Sequence, residues 1–175
     1  LEGVISMQEI QDLRELERRR VKHDRVGSQV ARDVLKIVDA VNLGANVNSD
    51  QWDSQPCLSP DKRDLYFASR RMDGFGGSDI YVSHLQPNGT WSKAENIGRG
   101  INTDADDQCP FIHADNQTLY FTSNGWQGYG ENDLFFVRRS NGNTWTKPMN
   151  LGYPINTIND EGTLFIAADG VTAYY

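Results

Sequence analysis

Ser59-Pro60-Asp61-Lys62-Arg63-Asp64-Leu65-Tyr66-Phe67 is the stretch whose reading decides the fold. Proline presets φ and an aspartate side chain bonds nearby backbone, so Pro60-Asp61 reads as a tight turn. Leu65-Tyr66-Phe67 then reads as the start of a strand. The block returns 54 residues later as His113-Ala114-Asp115-Asn116-Gln117-Thr118-Leu119-Tyr120-Phe121. It returns once more over 167–175, ending on Ala173-Tyr174-Tyr175. A fixed period of this length indicates an array of equal structural units.

Working outward, the period holds without a gap. Asn42-Leu43-Gly44 becomes Asn96-Ile97-Gly98 and then Asn150-Leu151-Gly152. Asn48, Asn102 and Asn156 correspond, as do Asp53, Asp107 and Glu161. Asp79 corresponds to Asp133, Gly74 and Gly76 to Gly128 and Gly130, and Trp91 to Trp145. Residues 42–95 and 96–149 are two full copies, and 150–175 is a partial third.

Within a copy the apolar period is two, and turn residues divide it into four strands. In the first copy these are expected over Ser54–Ser59, Asp64–Ser69, Asp79–His84 and Thr90–Glu95. Four short antiparallel strands at this repeat length predict the blades of a β-propeller. The fold class expected is therefore mainly β, part of a larger propeller, with an N-terminal α-helical segment over 1–41. There, Ile10, Leu13 and Leu16 recur among charged residues, and Val30, Val34, Ile37, Val38 and Val41 form one apolar stripe. This segment is expected to end a helical domain lying upstream.

Charge narrows the function. The net charge is −7. Residues 1–41 balance eight Lys/Arg against eight Asp/Glu, so the whole excess lies in the repeats. An acidic surface argues against a protein that tracks nucleic-acid phosphates. The Arg18-Arg19-Arg20 run is offset by Glu15 and Glu17 and reads as a solvated helix face. No apolar run is long enough to span a membrane, and no signal peptide is visible.

Several motifs suggest chemistry and read more simply as structure. The loops Asp73–Ser78 and Gln127–Asn132 are glycine-rich, but neither has dinucleotide or P-loop spacing. They read as wide hairpins whose glycines take positive φ, with Asp79 and Asp133 accepting bonds from loop N–H groups. Asp104, Asp106 and Asp107 are dense in carboxylate oxygen, but the first copy offers only Asp50 and Asp53 there, so a calcium loop is not expected. Cys57 and Cys109 occupy non-equivalent positions and read as buried thiols, with a disulfide between neighbouring units as the alternative. Trp91 and Trp145 read as buried fillers between neighbouring units. They differ from the Asp-box of sialidases, because Gln86 and Ser140 stand where an aspartate belongs. His23, His84 and His113 are scattered, so no catalytic set and no metal site is expected. Asp53, Asp107 and Glu161, with Asn48, Asn102 and Asn156, are the candidate binding residues. Each acid lies five residues beyond its asparagine, at the head of a first strand, and the set is expected to rim one mouth of the propeller channel. Either these carboxylates accept bonds from their own connecting loops, or they form a shared acidic rim for a basic segment or a cation.

The run Ser59-Pro60-Asp61…Leu65-Tyr66-Phe67-Ala68-Ser69-Arg70…Gly76…Asp79-Ile80-Tyr81 resembles the WD40-like (PD40, TolB-type) propeller repeat. The Trp, Lys, Asn-x-Gly, Ile-Asn-Thr and acid pattern at 91–107 and 145–161 is similar to the propeller of OmpA-family lipoproteins of the Bacteroidetes cell envelope. The resemblance covers 42–175. It implies a non-catalytic interaction module in the periplasm, associated with the outer membrane and without a cofactor. Its expected partners are envelope proteins. Members of that family serve peptidoglycan anchoring and type IX secretion, but peptidoglycan is bound there by a domain outside these residues. The alternatives are a carbohydrate-binding or carbohydrate-active propeller and a TolB-like translocation protein.

Overall fold

The computed structural model describes residues 41–140 and 144–175. The helical segment expected before the repeats lies outside them, apart from Val41. The chain divides into two units, 1–41 and 42–175, and the second carries all the structure that follows.

Each full copy folds into one four-stranded antiparallel sheet. The first contains β1 (Asp53–Leu58), β2 (Asp64–Ser69), β3 (Asp79–His84) and β4 (Glu95–Asn96), in that order. The second contains β5 (Asp107–Ile112), β6 (Thr118–Ser123), β7 (Asp133–Arg138) and β8 (Met149–Asn150). A hairpin of β9 (Phe165–Ile166) and β10 (Ala173–Tyr174) begins the third copy.

The turns that join first to second strands are built alike. Lys62 N–H donates to Ser59 O, Asn116 N–H to His113 O and Gly170 N–H to Ala167 O. In all three the donor residue has positive φ. The preceding aspartate stabilises each turn: Asp61 accepts the Arg63 N–H, Asp115 those of Gln117 and Thr118, and Asp169 those of Val171 and Thr172.

Two strand expectations need correction. The first strand is not continuous. Its register breaks between Ser54 and Cys57, and between Gln108 and Phe111 in the second copy. Pro56 and Pro110 lack the N–H that a ladder requires, and the residues before them, Gln55 and Cys109, take positive φ. The fourth strand, expected over Thr90–Glu95, shrinks to Glu95–Asn96 plus an isolated bridge between Leu85 and Trp91. Between them the Ser92 N–H still donates to His84 O, but the Ser92 hydroxyl accepts the His84 N–H and its carbonyl accepts the Ser83 hydroxyl, so side chains take part of the ladder's place.

One core joins the two sheets. Tyr66 and Ile80 from the first pack with Ile112, Leu119, Phe121, Phe135 and Val137 from the second, and Ile101 fills the space from the connection between them. A second cluster of Val47, Leu65, Phe67, Tyr81 and Ala94 covers the other face of the first sheet. Trp145 packs on the shared core and Trp91 on the second cluster. Both are half-buried, where full burial was expected. Their rings lie along clefts that keep one side open.

Candidate functional site

Strand register places the loops. Ser69 is opposite both Asp53 and Asp79, and Ser123 is opposite both Asp107 and Asp133. Loops 70–78 and 124–132 therefore lie at the same end of the sheets as the connections leading into β1 and β5. The five acids Asp53, Asp79, Asp107, Asp133 and Glu161 stand at the head of this loop end.

Two of the candidate asparagines, Asn102 and Asn156, tie their connections to the preceding sheet. Asn102 accepts the Ile80 N–H and donates to the Ile80 carbonyl, each at 2.9 Å, and donates to Asn96 Oδ1 at 2.9 Å. Asn156 repeats this on Leu134 and Asn150 at 2.8, 2.9 and 2.7 Å. Both are fully buried. Asn48 is exposed; among the described residues its side chain donates to Asn42 Oδ1 at 2.8 Å.

The acids turn toward their own connections. Asp53 accepts the Ser49 N–H and hydroxyl, the Ser69 hydroxyl at 2.6 Å and Arg71 at 3.1 Å. Burial pushes its carboxyl up, but these bonds outweigh burial and leave it below the ordinary range. Asp107 accepts the Thr103 N–H and hydroxyl, and Glu161 accepts the Thr157 hydroxyl at 2.7 Å. Asp107 is fully buried, and burial outweighs its bonds and raises its carboxyl. The nearby charge of Asp79 adds to that rise. One oxygen each of Asp79, Asp107, Asp133 and Glu161 is buried without an aligned partner.

The glycine-rich loops wrap these acids, and here a further correction applies. None of Gly74, Gly76, Gly128 or Gly130 has positive φ. Close approach demands them instead. A Cβ on Gly128 would lie 1.4 Å from Asp133 Oδ2, and one on Gly76 would lie 1.9 Å from Ala105 O. Without side chains, the loops let Asp79 accept the Phe75 N–H and Asp133 the Tyr129 N–H.

Exposed groups form an outer layer at the same end. Asp50, Asp73, Asp104, Glu131 and Asp160 face solvent, with Trp52, Met72, Tyr129 and Tyr153 among them. In the sequence, Asp50 and Asp104 stand out only as carboxylates near a calcium-like run, and Asp73, Tyr129 and Glu131 only as members of the glycine-rich loops. The signal was the clustering of charge in loops that register brings to one end. Among the described residues no group of three or more His, Cys, Asp or Glu is placed to hold a metal ion. Asp104 pairs with Arg99 at 2.8 Å, and Asp106 accepts the Ser78 hydroxyl at 2.7 Å.

A cleft of about 360 Å³ runs between the two sheets toward their outer strands. Tyr66, Val82, His84, Ile97, Arg139 and Trp145 line it. Asp64 organises its polar wall, accepting Arg139 at 2.7 Å and lying 2.8 Å from His84 Nδ1. Burial is the main cause that pushes the Tyr66 phenol up to about 12, so it stays protonated at neutral pH. Cys57 and Cys109 are free half-buried thiols, and burial raises both.

No family model matches this chain, and neither does any curated protein. Among the described residues no helix is long and apolar enough to cross a membrane.

Proposed function

We propose that residues 42–175 are propeller blades serving a non-catalytic protein-interaction scaffold of the cell envelope. The scaffold is periplasmic and associated with the outer membrane, as in OmpA-family lipoproteins. One observation carries the reading: two successive copies fold into equal four-stranded sheets that share a core and are tied by equivalent asparagines. Equal sheets locked at a constant relation form a rigid base for variable loops, and such loops are where binding groups concentrate. Most polar side chains of the described residues serve turns and connections, as Asp53, Asp115 and Asn102 do. Recognition accounts for them better than turnover.

The test is fractionation of cells carrying the tagged full-length protein, followed by cross-linking mass spectrometry. The expected outcome is enrichment with the outer membrane and cross-links from 42–175 to other envelope proteins. A purely cytoplasmic protein, or turnover of a glycan or peptide by the purified chain, overturns the reading.

A further inference from the structure

Resting on the interaction-module reading, we infer that the loop end of 42–175 docks a cationic polypeptide segment bearing apolar or aromatic side chains. The first observation is a charge polarity that the register creates. Eleven of the repeat-region carboxylates, against three arginines, lie in the loops and strand heads of this end. The opposite end has four carboxylates against six Lys/Arg. The repeats' whole negative excess is thus gathered on one face.

The second observation is that three of these carboxylates lie buried beneath this end. Asp79, Asp107 and Asp133 are fully buried, and each keeps one oxygen without an aligned partner. Interior charges are screened less than surface ones, so they strengthen the field outside the loops.

The third concerns aromatic rings. Arg70 lies over the Trp52 ring at 5.2 Å, and Arg99 over Phe75 at 4.4 Å. This end already seats guanidinium groups on rings, using arginines of its own. Tyr129 and Tyr153, 59% and 79% exposed, offer further rings to a visiting Lys or Arg. Trp52 and Met72 supply apolar contact. Anionic nucleic acid or an anionic lipid surface would be repelled here, and a neutral glycan gains nothing from the charge.

The test measures fluorescence anisotropy of a labelled peptide alternating Lys with Tyr and Leu, against the same peptide with Glu for Lys. The 1–175 chain is titrated at low and at high salt. Selective binding of the Lys peptide, weakened by salt, is expected. The triple variant Asp50→Asn, Asp104→Asn, Glu131→Gln should weaken binding about tenfold, as should Tyr129→Ser with Tyr153→Ser. Glu95→Gln with Asp169→Asn, away from this end, should leave it within about twofold. Each variant's melting curve is compared with the parent's, and these exposed positions are expected to preserve it. Equal binding of the two peptides, indifference to both loop-end variants, or preference for neutral glycans overturns the inference. Envelope proteins cross-linked only from the opposite end would overturn this face alone. Loss of all cross-links from 42–175 would overturn the interaction-module reading itself.

Discussion

Lys62 occupies a position where its equivalents are Asn116 and Gly170, and all three have positive φ. A lysine gains nothing there that offsets the Cβ clash, whereas asparagine tolerates the left-handed region. Lys62→Asn should therefore stabilise the chain by about 0.5 kcal/mol, read as a higher urea midpoint. Asp115, in the neighbouring turn, titrates with consequence. Burial pushes its carboxyl up, but the Thr118 hydroxyl, the Gln117 and Thr118 N–H groups and His113 pull harder, and it settles at about 2. Its folded pKa lies below the unfolded value of about 3.9, so its contribution is complete above about pH 4. That contribution disappears as pH falls toward 2. Asp115→Asn should flatten this acid-side loss, measured as urea midpoint against pH. Asp107, raised by burial, has the opposite sign: its contribution grows as pH falls and is lost as pH rises through its folded pKa.

At the scale of elements, the connection between sheets depends on one side chain. Asn102 mimics a strand residue by bonding both the N–H and the carbonyl of Ile80. Asn102→Ala removes both partners from buried groups and should cost about 3 kcal/mol. Hydrogen exchange at the Ile80 amide should accelerate. Asn48→Ala, at the exposed equivalent, should cost under about 1 kcal/mol, and equal costs would refute the clamp. The fourth-strand tryptophans carry less than full burial implies. Trp145 lies half-exposed on the shared core, with Arg139 5.0 Å above its ring. Trp145→Ala should cost about 2–3 kcal/mol, below the range for a fully buried tryptophan.

Across the whole module, stability in a repeat array is a sum of unit and interface terms. Here the interface term is large, because the main core draws on both sheets. Leu119 is fully enclosed in it. Leu119→Ala should cost about 3 kcal/mol, and amide protection should fall in β2 and β3 as well as in β6. Loss confined to β6 would show that the two sheets are energetically independent. The same stacking brings the connections to a common end and so gathers the negative charge there.

Much of this was legible in the chain itself. The 54-residue period, the Pro-Asp and Ala-Asp turns and the alternation of Leu65-Tyr66-Phe67 are local patterns, and local sterics and hydrogen bonding read them directly. The second and third strands accordingly appear where expected, at Asp64–Ser69 and Asp79–His84. Features that depend on a distant partner were not legible. Glycine at 76 and 128 suggests positive φ until Ala105 O and the Asp133 carboxylate are seen to occupy the space of a Cβ. Asp53, Asp107 and Glu161 look alike in the chain, yet neighbours on other strands and loops lower one carboxyl and raise another. Sequence by itself determined the units and their turns, because those rest on backbone conformation over a few residues. Tertiary structure alone decided which acids are buried and which face solvent, because burial and field depend on what the next unit packs against them.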